Sequence, residues 1–129
     1  MKLTSIAILL LICTNLNAAT LSYTCEVTNV YGLNDDGSLK VSGFDKGMKG
    51  SKFSVSRVTG EIIGQVVPTI VANSTRVINK GSSENSFKTV AEFDEQFQIL
   101  EVQEFRKGDS KPFVSSSMGG AGIVTGLCK

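Results

Sequence analysis

The sequence predicts an all-β domain, a single small antiparallel β-sandwich or β-barrel, and three observations carry that reading. Short β-branched and aromatic runs recur along the chain with turn residues between them. Phe53–Val67 holds two such runs about Thr59-Gly60, with Phe53, Val55 and Arg57 on one side of an extended chain and Ser54, Ser56 and Val58 on the other. Cys25 and Cys128 fall in the first and last of the expected strands.

Residues 1–18 have the form of an export signal. Met1-Lys2 supplies a minimal positive end, Ile6–Ile12 is unbroken apolar, and Leu16-Asn17-Ala18 places a small residue at the cut, so cleavage is expected after Ala18. The apolar run falls short of the roughly 20 residues of a spanning helix. Leu11-Ile12-Cys13 departs from a lipid-attachment signal, which wants a small residue where Ile12 stands. Residues 19–129 remain as one exported β domain, periplasmic or secreted, with no membrane anchor after cleavage. Loss of Lys2 from the chain's 13 basic and 12 acidic residues balances the charge, which gives no support to capture of nucleic acid.

Cys13 leaves with the signal. Two cysteines in an oxidising compartment are expected to pair as a disulfide, Cys25 with Cys128.

Leu21–Leu33 carries Leu21, Tyr23, Cys25, Val27, Tyr31 and Leu33 at odd positions, one face of a first strand. Asn34–Gly37 is a turn and Leu39–Ser42 a short return strand. Gly43–Lys52, with Gly43, Gly47 and Gly50 among Lys46, Lys49 and Lys52, reads as the most mobile internal loop. The central hairpin follows, with Gly60 free to take the positive φ of a tight turn and the second strand running to Val67. Pro68 ends it. Thr69–Ala72 and Thr75–Asn79 read as extended pieces joined by a bulge near Asn73-Ser74, and Lys80–Asn85 as a turn.

Ser86–Phe93 alternates, and Phe97–Phe105 resumes after Asp94-Glu95 with mixed faces that suggest a twist or bulge. A helix over Thr89–Phe105 competes, because Val90, Phe93, Phe97 and Leu100 also recur at helical spacing. Lys107–Pro112 is a turn, Phe113–Ser117 a strand, Gly119–Gly122 a reversal and Ile123–Cys128 the last strand.

Chemistry-bearing motifs are sparse. There is no histidine, which removes the commonest general base and most zinc sites. No serine has lysine three positions later, and there is no Gly-x-Ser-x-Gly elbow. Asp94 with Glu95, or Glu101 with Glu104, could in principle serve as an acid–base pair, but strand neighbours point to opposite faces and no tryptophan platform accompanies them. Asn34, Asp36 and Gly37 imitate part of a calcium loop whose first and twelfth positions are Gly32 and Gly43, so the match fails at both ends. Gly43–Lys52 could cradle an anion, although Met48 stands where the second glycine of a phosphate loop belongs. No catalytic residue, metal or cofactor is expected. Asn73-Ser74-Thr75 fits a glycosylation pattern, which matters only in a source that glycosylates its exports.

Tyr23-Thr24-Cys25-Glu26 resembles the small periplasmic inhibitors of C-type lysozymes, which are also exported, disulfide-tied β-barrels. The resemblance covers little more than this tetrapeptide. The family's serine-glycine-alanine run followed by an aromatic is not found, so no residue role carries over.

The expectation is a non-catalytic binding protein acting on a protein of the cell envelope or outside the cell, as an inhibitor, immunity factor or envelope accessory. Its candidate contact residues are Lys46, Lys49 and Lys52 in the basic loop and Ser115, Ser116 and Ser117 before the glycine reversal. The alternatives are a carrier with an apolar ligand inside a barrel and, from a third class, a carboxylate-dependent hydrolase.

Overall fold

The computed structural model describes residues 20–118 and 122–129. The export signal expected at residues 1–18 and most of the reversal at residues 119–122 lie outside them. The described chain forms β1 (Ser22–Leu33), β2 (Leu39–Val41), α1 (Asp45–Met48), β3 (Lys52–Ser56), β4 (Ile62–Gly64), β5 (Ser74–Lys80), β6 (Phe87–Glu92), β7 (Phe97–Val102), β8 (Lys111–Met118) and β9 (Gly122–Cys128).

All strands belong to one antiparallel sheet in the order β4-β3-β1-β9-β8-β7-β6-β5, with β2 alongside the far half of β1. The sheet curls into a half-barrel rather than splitting into a sandwich. Two aromatic pairs cross its interior between strands that are not neighbours: Tyr23 of β1 meets Phe87 of β6, and Phe53 of β3 meets Phe113 of β8, each with ring centres 5.2 Å apart and edge to face.

β1 begins as the alternation requires, with Tyr23, Cys25 and Val27 buried and Thr24 and Glu26 exposed. Its register against β9 then shifts between Val27 and Asn29. This bulge turns Val30 inward and leaves Leu33 exposed, so the odd positions do not share one face along the whole strand. The backbone groups disturbed there are met by the next loop. Asp45 Oδ1 accepts the Val30 N–H at 2.8 Å, Gly50 N–H donates to the Val27 carbonyl at 2.8 Å, and Val27 N–H donates to the Ser51 carbonyl at 3.0 Å. Gly43–Lys52 is therefore a helical turn tied across the bulge at both ends, with Met48 against the core.

The β3–β4 hairpin pairs Val55 with Ile62, and Gly60 takes φ +81°. A Cβ on Gly60 would lie 2.1 Å from Thr89 Oγ1 and 3.3 Å from the Arg76 backbone, so glycine also lets this turn close onto β5 and β6. The strand stops at Gly64 and does not reach Val67, because Val67 adopts φ +49°, outside the extended region, ahead of Pro68. Thr69–Ala72 is a turn rather than an extended piece, closed by Ala72 N–H to the Thr69 carbonyl at 2.9 Å.

β5 carries a register shift between Val77 and Asn79, four residues beyond the expected bulge. β7 pairs without interruption with both β6 and β8, so the mixed faces of Phe97–Val102 reflect exposed Phe97 and Ile99 opposite buried Leu100 and Val102, with no bulge. The competing helix is absent from this region; β6 and β7 form a hairpin about Phe93–Gln96. β8 opens two residues before Phe113, and Pro112 contributes the one backbone group it has, its carbonyl, to Gln103 N–H at 2.8 Å.

Directly paired residues line the concave face in rows. Ala91, Gln98, Ser117 and Gly122 form one; Thr89, Leu100, Ser115, Val124 and Val30 the next; Phe87, Val102, Phe113, Gly126 and Val27 a third. Beyond it Cys25 and Cys128 are joined by the expected disulfide, with Cα atoms 3.9 Å apart. The bond ties the first strand to the last and points to an oxidising, non-cytoplasmic compartment. The rows grade from apolar near the disulfide to polar at the other end.

Candidate functional site

The curl leaves a seam. In the sheet β4 has β3 on one side, β5 has β6 on one side, and no ladder joins β4 to β5 among the described residues. The exposed side of β4 is covered locally by its own chain: Ile62 N–H donates to Thr69 Oγ1 at 2.8 Å, and Thr69 N–H donates to the Ile62 carbonyl at 3.1 Å. Among the described residues no strand covers the outer side of β5. A cleft of about 510 Å³ opens along this seam, lined by Ile63, Pro68, Thr69, Ile70 and Thr75 among others. Ile63 and Ile70 in its wall are exposed, Ile70 to 90 %, as are Val71 in the adjoining turn and Ile78 on β5. Arg76 and Lys80 lie on β5 itself, the charged residues that natural sheet edges carry against indiscriminate pairing.

The two sequence-predicted segments meet through Ser115 and Ser117 on one side and, on the other, through Met48 rather than the lysines. Lys46, Lys49 and Lys52 are exposed. Lys52 pairs with Glu26 at 3.7 Å, which offers the pair little stability in solvent. Ser116 points outward, whereas Ser115 is buried and Ser117 half-buried on the concave side, as the two-residue period of β8 demands. Met48 from the basic segment joins Ser115, Ser117 and Gly122 around a pocket of about 210 Å³ at the polar end of the rows. Val67, Gln96, Gln98 and Val124 complete its wall. Gln98 Nε2 donates to the Val67 carbonyl at 2.7 Å, and Ser117 Oγ donates to Gln96 Oε1 at 3.4 Å. Sequence reasoning missed Gln98; its signal was a polar residue on the same strand face as Leu100 and Val102.

Asp94, Glu101 and Glu104 hold separate partners. Asp94 accepts the Asn73 side-chain amide at 2.8 Å, Glu101 accepts Ser86 Oγ at 2.6 Å with Lys88 3.8 Å away, and Glu104 meets Arg57 at 2.7 Å. Asp36 accepts both the backbone and the hydroxyl of Ser38, which holds its carboxyl below the usual range and accounts for the calcium-like turn as a closed hairpin loop. Among the described residues no three His, Cys, Asp or Glu side chains converge as a metal site would require.

Comparison with protein families, curated proteins and solved structures finds no match to this chain.

Proposed function

We propose that this domain is a non-catalytic, exported binding protein that takes an extended segment of a partner protein along the outer edge of β5. The supporting observation is the seam, where a terminal strand with one neighbour stands beside a cleft walled by the exposed Ile63 and Ile70. An added strand gains main-chain hydrogen bonds from such an edge, while alternate side chains of the segment reach the flanking apolar surface. Ile63 and Ile70 supply that surface in the cleft, and Ile78 is exposed on β5 itself. Arg76 and Lys80 favour an acidic flank on the partner and disfavour basic ones. The partner is a protein of the envelope or the extracellular space, and the role is that of an inhibitor, immunity or accessory factor. Side chains of Phe87, Leu100, Val102 and Phe113 fill the barrel interior, which favours surface recognition over carriage of an apolar ligand.

Selection of extended peptides from a displayed library on the purified protein tests this directly. Selected peptides should alternate apolar residues, slow amide exchange in Val77–Lys80, and be lost on Ile78→Glu. Replacing Lys46, Lys49 and Lys52 together with glutamine should leave them bound. Protection elsewhere, or loss with the lysines but not with Ile78, would refute edge recognition. Turnover of a glycan, peptide or ester by the purified protein, abolished by Glu101→Gln or Glu104→Gln, would overturn the non-catalytic reading.

A further inference from the structure

The concave face holds a second, independent feature. Ser115 is 1 % exposed and its hydroxyl has no hydrogen-bond partner among the described residues. The cause is the row in which it sits: its direct neighbours across the sheet are Leu100 and Val124, whose side chains can neither accept nor donate. Buried hydroxyls are ordinarily bonded, because removing one from water without compensation is costly. Alanine would fill this row as well as serine does and carry no such cost.

Ser115 belongs to the wall of the pocket of about 210 Å³ described above. For scale, a dry cavity of about 150 Å³ accepts benzene. Met48, Val67 and Val124 give this pocket an apolar wall, with methionine able to adjust its shape. Gln98 and Ser115 contribute neutral hydrogen-bonding side chains to its wall, and one amide hydrogen of Gln98 is committed to the Val67 carbonyl. That carbonyl is held in place by a β-branched residue at φ +49°, a backbone state that is costly for valine and that recurs at ligand sites. No charged side chain is present in the described wall, so an ionic ligand would be desolvated without a counter-charge.

We infer that this pocket binds a small neutral amide, an acetamido group or its like, whose methyl packs on Met48, Val67 and Val124 while its amide completes the hydrogen bonding of Ser115 and Gln98. The site lies on the concave face and does not depend on the β5 edge. It uses the two segments that the sequence singled out, through Met48 and Ser115 rather than through the lysines.

The test is titration of isotopically labelled protein with N-methylacetamide, acetate and benzene, followed by amide chemical shifts. N-methylacetamide should give saturable shifts at Met48, Gln98 and Ser115, with acetate and benzene at least tenfold weaker. Ser115→Ala should weaken the amide at least fivefold while thermal stability holds or rises, a combination that a purely structural hydroxyl would not give. Val124→Ile, which adds a methylene to the wall, should weaken it too. Absence of saturable shifts, equal binding by Ser115→Ala and Val124→Ile, or a preference for benzene or acetate would overturn the assignment.

Discussion

The Arg57 guanidinium lies 4.8 Å from the centre of the Tyr23 ring while one of its nitrogens meets Glu104 at 2.7 Å. Three segments distant in sequence converge there: β1, the turn after β3, and the chain just beyond β7. Arg57 and Glu104 side chains are only 24 % and 14 % exposed, so the pair is held in a partly dry setting where the cation also rests on an aromatic face. Gly81 makes room for it, since a Cβ there would lie 2.2 Å from Glu104 Oε2.

Removing one member of this pair leaves the other charge poorly solvated. Glu104→Ala is expected to destabilise the domain by about 2–3 kcal/mol, below the range for fully buried pairs because water still reaches Arg57. Urea unfolding measures it. A loss no greater than that of an exposed ion pair would show that the cluster contributes nothing to the curl.

Alkaline stability should depend on Tyr23. Burial first, and then the facing Glu104 carboxylate, raise its pKa, with Arg57 opposing. In the unfolded chain tyrosine ionises near pH 10. The stabilisation is therefore complete below about pH 10 and is lost as pH rises toward the higher folded value, because only the unfolded chain releases its proton in that window. Tyr23→Phe should flatten this part of the stability–pH curve. An unchanged slope would assign the alkaline loss to other groups.

Asp45 is expected to matter beyond its small helix. Its carboxylate accepts the N–H of Val30, a residue fully buried beside the β1 bulge. Asp45→Ala should cost about 1–3 kcal/mol, the range for a buried donor left without a partner, and should speed amide exchange at Val30 and Gly50. In the unsubstituted protein, Gly50 should exchange more slowly than Gly47, which distinguishes a tied loop from a freely mobile one.

The disulfide encloses a separation of 103 residues. Cys128→Ser is expected to destabilise the domain by about 2–5 kcal/mol, as for small secreted domains. A chain of residues 19–129, unfolded and non-reduced, should show no reactive thiol; two per molecule would exclude the bond.

How far the sequence could be read depended on whether the deciding contact was local. Alternation places Ser115 and Ser117 inward and Ser116 outward without any knowledge of the fold, and the cysteine positions give the first-to-last pairing. The β1 bulge was not legible, because Asp45 and Gly50 support it from another element. Val67 reads as a strand residue by propensity, yet its left-handed backbone is held from β7 by Gln98. The ambiguity over Thr89–Phe105 was real at the level of spacing: Val90 and Leu100 suit either period, and only pairing of Val90 with Ile99 decides it. The seam was hidden altogether, since nothing in the sequence shows which strands lack a second neighbour.

The disulfide lies inside the sheet rather than at its rim, between β1 and β9, third and fourth in the strand order. Thr24 and Lys129 bond reciprocally beside it, both at 2.9 Å. From Cys25 to Cys128 the chain is thus a covalent ring. A protease that nicks the exposed tip at Ser82–Asn85, or the turn at Lys107–Asp109, opens the ring without releasing a fragment, and every strand keeps its neighbours. A single cut would leave a clipped molecule whose two pieces would separate only on reduction.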